Sequence, residues 1–137
     1  MLKKVYITHC SREKDPEYEK SGKKTTPDNL YTSPALQRFI KFCKENNHYW
    51  AICSTKYGFV GAYDLIKWYN RPPDRVTEED YKVLIRGLVK SLSFFDEVYF
   101  LQRPEDTHSL FKRIEKDLRD HSIKVIPLEE KDLIPGT

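Results

Sequence analysis

Apolar positions along this chain recur with two periods, one of strands and one of helices, and the two alternate. Val5-Tyr6-Ile7 leads into Thr8-His9-Cys10-Ser11 and predicts a buried strand, because the run is short, β-branched or aromatic, and bounded by polar residues. Residues 49–53 repeat that pattern and end in Cys53-Ser54. Between the two runs Leu36, Phe39, Ile40 and Cys43 follow at helical spacing. Ser33-Pro34 places a capping hydroxyl before a proline at the first helical position, so a helix is expected over residues 34–45.

Further along, residues 62–69 predict a short helix closed off by Arg71-Pro72-Pro73. Thr77 caps a longer one. Glu78, Glu79 and Asp80 in its first turn favour the helix dipole, while Tyr81, Leu84, Ile85, Leu88 and Leu92 form its buried stripe. Residues 97–101 read as a third strand, Asp106 caps a helix turning Leu110, Phe111, Ile114 and Leu118 inward, and residues 123–126 read as a fourth strand. Strands alternating with helices imply a single α/β domain over residues 1–137: three layers, a mostly parallel sheet of about four strands with helices on both faces.

One segment breaks the pattern. Residues 11–32 form a long polar loop with Pro16, Gly22, Pro27 and the cations Arg12, Lys14, Lys20, Lys23 and Lys24. Loops of more than about 12–15 residues are uncommon in compact domains unless functional or disordered. The acids Glu13, Asp15, Glu17, Glu19 and Asp28 nearly cancel its charge, which leaves a solvated flap and an anion-grasping lid as alternatives.

Both strand runs end in Cys-Ser followed by a lysine, Lys14 in the first and Lys56 in the second. Parallel strands would bring these ends to one carboxyl edge, where open α/β sheets bind ligands. Ser11 and Ser54 supply adaptable donors there, and Lys14 and Lys56 point charges for an anion. The plain structural alternative is that Cys10 and Cys53 finish packed strands and both lysines are solvated. Aromatic residues with polar tips gather in the same segments: Tyr31 before Ser33, Tyr57 before Gly58, then Tyr63, Trp68, Tyr69 and Asn70. Such rings suit a planar heterocycle stacked on a face and hydrogen-bonded at its rim, and they equally staple short elements to a core. Gly58 allows a left-handed turn or close approach of a ligand.

Composition narrows the classes. The chain is 39% hydrophobic and 33% charged, so it is globular rather than disordered. No run approaches the roughly 18 apolar residues of a membrane helix, and Met1-Leu2-Lys3-Lys4 runs into a strand instead of a signal peptide, so a cytoplasmic protein without a membrane partner is expected. Cys10, Cys43 and Cys53 are an odd set without paired spacing, which points to reduced thiols and against a zinc centre. No metal site is expected and no cofactor is indicated. A net charge of +3 permits an anionic ligand without demanding nucleic acid. Lys82, Arg86 and Lys90, like Lys112, Lys116 and Arg119, read as solvated helix faces.

Taken together, Cys10-Ser11-x-x-Lys14, Leu30-Tyr31-x-Ser33 and Ser54-x-Lys56-Tyr57-Gly58 resemble the signature of a family of small, poorly characterised prokaryotic proteins. That family carries a CS-x-x-K strand end, an LY-x-S helix start and an S-A-K-Y-G strand end. Its Cys-x-x-x-Lys element is similar to that of the catalytic domain of archaeosine synthase, which has a uracil-DNA-glycosylase-like fold and acts on a deazaguanine base. The resemblance implies an α/β domain handling a nucleobase or nucleotide. This chain departs from it in having Trp68-Tyr69-Asn70 where the family has Pro-Tyr-Asp, an amide in place of an acid.

Two functions follow as expectations. The first is an enzyme processing a nucleobase or nucleoside, with Cys10, Lys14, Ser54 and Lys56 as catalytic candidates and Ser11, Tyr31, Ser33, Tyr57, Gly58, Tyr69 and Asn70 as ligand-binding candidates. The second is a noncatalytic domain that binds or senses a nucleotide, nucleoside or nucleic acid with the same groups.

Overall fold

The first strand, β1 (Lys4–His9), lies in the middle of the sheet, and its sequence shows why: Val5, Ile7, Thr8 and His9 are all buried, so it needs a partner on each edge and cover on each face. In the computed structural model, which describes residues 2–103 and 108–133, the further elements are α1 (Pro16–Ser21), α2 (Pro27–Leu30), α3 (Pro34–Glu45), β2 (Trp50–Ser54) and β3 (Gly58–Gly61). They continue with α4 (Glu78–Leu92), β4 (Glu97–Leu101), α5 (Ser109–Asp120) and β5 (Val125–Leu128), and short 3-10 turns occupy Pro73–Arg75 and Glu130–Leu133.

The sheet has five strands in the order β3-β2-β1-β4-β5. All neighbours are parallel except β3, which returns antiparallel along β2. Tyr6 pairs with Trp50 and His9 with Cys53 on one side of β1, while Val5 pairs with Val98 and Thr8 with Leu101 on the other. Successive strand residues divide between two apolar clusters, as the two-residue period requires. Val5, Ile7, Ala51, Cys53, Val98 and Phe100 join Leu84 and Leu88 of α4 and Phe111 and Ile114 of α5. Trp50, Ile52, Val60 and Leu101, with Tyr6 at the margin, join Leu36, Phe39 and Ile40 of α3. Among the described residues no helix is long and apolar enough to cross a membrane.

The helix stripes and strands β1, β2 and β4 lie where their periodicity places them, and Thr77 makes a full capping box with Asp80. Several expectations are corrected. The count of about four strands omits β3, whose four residues Gly58-Phe59-Val60-Gly61 are too short and too glycine-rich to register as a run. Residues 62–69 are not helical. There Asp64 Oδ2 accepts the Gly61 N–H at 2.7 Å to make a turn, and Thr25 and Ile66 then exchange two backbone hydrogen bonds of 2.9 Å. Tertiary pairing overrides the local helical pattern.

Residues 11–32 contain two short helices instead of a continuous loop. Asp15 accepts the Glu17 N–H at the start of α1, Pro16 is its first residue, and Gly22 closes it in the left-handed conformation. The same proline and glycine that suggest a loop are here the start and stop of a helix. Ser33 stands at the N-cap of α3, but its hydroxyl makes no capping bond. The fourth parallel strand lies at Val125–Leu128, two residues beyond its expected place, with Ile123 still buried before it. The expected cap Asp106 lies outside the described residues, and His108 caps α5 by accepting the Leu110 N–H at Nδ1.

Gly58 has φ of 75°, and a Cβ there would meet Leu84 Cδ1 at an ordinary 3.5 Å, so only the backbone opposes a side chain. Gly58→Ala should lower the unfolding free energy by about 1–2 kcal/mol, read as a fall in the urea midpoint at unchanged m-value. An unchanged midpoint would mean that the turn relaxes without cost.

Candidate functional site

Because β1 and β2 run parallel, their Cys-Ser ends emerge at the same edge, and the Cys10 N–H continues the ladder to the Cys53 carbonyl at 2.9 Å. The chain leaves β1 through α3 to reach β2, and leaves the β2-β3 pair through α4 to reach β4 on the opposite side of β1. The carboxyl ends of β1 and β4 therefore form a topological switch point, the usual position of a ligand crevice in open α/β sheets. A cavity of about 220 Å³ opens beside the end of β1. Its walls are Cys10, Ser11, Arg12 and Lys14 from the segment after β1, and Tyr69 to Pro73 from the segment ahead of α4.

Lys14 is the best-defined group in this cavity. Its backbone pairs with Tyr31 as an isolated bridge, and two further bonds, Asp15 N–H to the Leu30 carbonyl at 2.9 Å and Thr32 N–H to the Glu13 carbonyl at 3.0 Å, fasten the segment. The half-buried Nζ sits 4.3 Å from the Tyr69 ring centroid and 5.8 Å from that of Tyr31. Its one acceptor is the Arg12 carbonyl at 3.5 Å. Burial pushes the Lys14 pKa down, opposed in part by the charge of a Cys10 thiolate.

Arg12, Lys14 and Arg71 line the cavity, and no carboxylate does. None of the three makes an ion pair among the described residues. Asp80, kept ionised chiefly by the Thr77 amide, is the acid that senses the Arg71 charge. Cys10 is half-buried, with its thiol 3.9 Å from Thr55 Oγ1. Thr55 in turn donates to the Arg71 carbonyl at 2.6 Å and so ties the two walls together.

Ser54 is placed differently. It is fully buried; its hydroxyl donates to the Tyr69 OH at 2.9 Å and accepts the N–H groups of Lys56 at 3.1 Å and Tyr57 at 3.0 Å. That closes the turn into β3 and leaves the hydroxyl no reach into the cavity. Tyr31 is equally buried and shares a 2.5 Å hydrogen bond with the Tyr69 OH, so it supports Tyr69 and offers no face for stacking. Burial raises the pKa of both phenols, which stay neutral.

The cavity thus brings together Cys10, Ser11, Lys14, Tyr69 and Asn70 of the candidate set. Ser54, Tyr31 and Ser33 stand behind it, buried, with Ser33 at the start of α3. Lys56 is exposed, its Nζ 5.2 Å from the Tyr57 ring centroid, and Tyr57 packs edge-on against Tyr69 while donating to the Lys67 carbonyl at 3.3 Å. Gly58 opens β3.

Arg12, Arg71, Pro72 and Pro73 enter as lining residues that the sequence reading left among loop charges and helix breakers. The signal for Arg71 was its place directly after Asn70.

Below the cavity floor lies a further pair. Buried Arg103, just after β4, donates from Nη1 to Thr8 Oγ1 at 3.0 Å and to the His9 carbonyl at 3.2 Å. Its Nη2 reaches His9 Nδ1 at 3.1 Å and the Cys10 carbonyl at 3.4 Å. A guanidinium can only donate, so Nδ1 accepts and the neutral ring carries its proton on Nε2. The 3.2 Å approach of Nδ1 to the Cys10 carbonyl is then a contact between two acceptors that Arg103 bridges. Burial, then the Arg103 charge, lowers the His9 pKa from 6.5 to about 3.

A larger depression of about 470 Å³ lies at the other end of β2, around Tyr49, Trp50 and His48. Its cation Lys44 is already paired with Asp28 at 2.9 Å, and the amino ends of strands are not where such sheets bind ligands. Among the described residues no group of three or more His, Cys, Asp or Glu side chains converges to hold a metal ion. Comparison with family models, with curated proteins and with solved structures gives no match to this chain.

Two outcomes test this construction. Ser54→Ala leaves two turn amides without their acceptor and should cost about 1–3 kcal/mol in urea unfolding, whereas Lys56→Ala should change it by no more than about 0.5 kcal/mol. Equal effects would remove the distinction between the two residues.

The second outcome concerns pH. The folded state refuses a proton at His9 that the unfolded chain accepts at 6.5, so this contribution to stability is full above pH 6.5 and declines toward about pH 3. Unfolding free energy should therefore fall between about pH 7 and about pH 5, ahead of most carboxylate titration, and His9→Gln should flatten that slope. An unchanged slope in the variant would show that His9 is not the group responsible.

Proposed function

We propose that the protein binds a small nucleobase derivative, a nucleotide in preference to the uncharged nucleoside, in the cavity at the carboxyl edge of β1 and acts on it there. The observation that carries this reading is the cavity's charge: Arg12, Lys14 and Arg71 line it without ion-pair partners among the described residues and without a carboxylate on its walls. Cations gathered in a concave site with no internal counter-charge favour an external anion. The volume sets the scale. About 220 Å³ lies below the roughly 300–1,000 Å³ of pockets for drug-sized ligands, so the occupant is no larger than a single nucleotide, not a dinucleotide. Pro72 and Pro73 give an apolar wall for a planar group, and Ser11 and Asn70 give a polar rim. The likeness of Cys10-Ser11-x-x-Lys14 to the prokaryotic family described above supports the same ligand class.

For chemistry the cavity offers the Lys14 amine and the Cys10 thiol. A noncatalytic binder is the second reading, favoured by one observation: Ser54 is committed to its turn and no carboxylate or imidazole lines the cavity, so a conventional proton-transfer pair is missing from its walls.

Calorimetric titration separates these. Nucleoside monophosphates should bind more tightly than the parent nucleosides, affinity should fall as salt rises, and Lys14→Met or Arg71→Ala should weaken binding by about tenfold or more. Binding that is indifferent to both substitutions and to salt would sink the site. Mass spectrometry of the incubated ligands then decides the class, since an altered ligand requires an enzyme and a recovered intact ligand fits the binder.

A further inference from the structure

We infer that Lys14 is an imine-forming lysine, and that the ligand it takes is the open-chain aldehyde of an anionic sugar, of the class of a pentose phosphate. This rests on the anion site proposed above and names as ligand the free sugar phosphate, the portion of a nucleotide that remains once the base has left C1′.

Four features of Lys14 carry the inference. Among the described residues its amine has no carboxylate partner, whereas a lysine that only supports a fold or solubilises a surface usually meets an acid or open water. Two aromatic rings, Tyr69 at 4.3 Å and Tyr31 at 5.8 Å from Nζ, replace water around it, and desolvation favours the neutral, nucleophilic amine. Its backbone is held by the bridge to Tyr31, so the amine is presented to the cavity from a fixed point. Its single acceptor, the Arg12 carbonyl, lies at the 3.5 Å limit and is readily given up.

The rest of the cavity completes the site. Arg12 and Arg71 stand on its two walls and match an oxyanion carried at the far end of a short sugar chain. The step balances without any oxidant or reductant. The Nζ lone pair attacks the aldehyde carbon, the carbonyl π pair moves to oxygen, and a proton passes from nitrogen to that oxygen. A second proton, equal to the one the ammonium gave up to solvent when it became the free amine, then joins the hydroxyl. This leaves as water while the nitrogen lone pair forms the carbon–nitrogen double bond of a protonated imine. The protonated imine is a cation in the place of the ammonium, so the Tyr69 ring face that holds Lys14 also holds the product. Among the described residues the groups around Nζ are the Cys10 thiol, the Arg12 carbonyl and the rings of the two buried phenols, and none of them is a carboxylate.

The test is reductive trapping on the full chain. Ribose 5-phosphate is added with borohydride, and peptide mapping locates the reduced adduct, with the chain's other lysines as internal reference. A thiohemiacetal at Cys10 is not fixed by borohydride, so a trapped adduct reports an amine. Calorimetry with ribitol 5-phosphate, which keeps the phosphate and lacks the carbonyl, measures the anion site by itself.

The adduct is expected on Lys14 ahead of all other lysines, with half-maximal trapping at lower pH than theirs, and lost in Lys14→Met while ribose 5-phosphate labels the remaining lysines as before. If ribitol 5-phosphate binds and Lys14 traps no more than its neighbours, the imine is overturned and the anion site stands. If neither ribitol 5-phosphate nor any nucleoside monophosphate binds, both readings fall. If nucleotides bind and both sugar phosphates do not, the ligand class named here is wrong while the site survives.

Discussion

Everything at the carboxyl edge depends on β1 being paired in parallel on both sides. A strand buried on both faces and both edges has no freedom of register, because a one-residue slip would send Val5 and Ile7 out of one apolar cluster and into the other. Once His9 is fixed opposite Cys53 and Thr8 opposite Leu101, Cys10 and Ser11 must emerge between the end of β2 and the end of β4. The cavity is a consequence of that placement.

Polar groups then fix the edge in detail, from both sides of β1. On the β4 side, Arg103 gathers the Thr8 hydroxyl, the His9 ring and carbonyl, and the Cys10 carbonyl. On the β2 side, Ser54, Tyr69 and Tyr31 form a buried chain of hydroxyls beneath Lys14. Buried polar groups are costly unless paired, so these networks hold one arrangement and resist others. The Tyr69 ring is where this support meets the cavity: its hydroxyl belongs to the buried chain and its face to Lys14.

Legibility in the sequence followed the strength of the physical signal. The stripe Leu84, Leu88 and Leu92 and the runs ending at Cys10 and Cys53 were readable because burial demands a period, and a period survives translation into residues. Strand β3 and segment 62–69 were not, since β3 is only four residues long with a glycine at each end, and the bridge between Thr25 and Ile66 joins residues distant in the chain. Pro16 and Gly22 show a related ambiguity: each marks an end of a helix as well as a loop, and only the cap bonds decide. At the edge, Ser11 and Lys14 were legible from their place after a buried run. The commitments of the Ser54 hydroxyl were not, because a serine's residue type does not reveal whether it faces a ligand or its own turn.

That difference bears on how the Cys-Ser-lysine recurrence is understood. The two copies are neighbours in space, yet they have diverged in duty. After β1 the chain continues away through α1 and α2, which leaves Ser11 and Lys14 along the cavity wall. After β2 it must reverse within three residues to form β3, and that reversal consumes Ser54 as an acceptor of two amides and turns Lys56 outward. A tight hairpin has backbone groups to satisfy that a longer excursion does not, so the Ser54 hydroxyl serves two amides and a phenol, while the Ser11 hydroxyl accepts the Glu13 N–H at 3.3 Å and its residue lines the cavity. The second cation that a symmetric site would have drawn from Lys56 is supplied instead by Arg71, carried to the cavity by the segment that Tyr69 anchors.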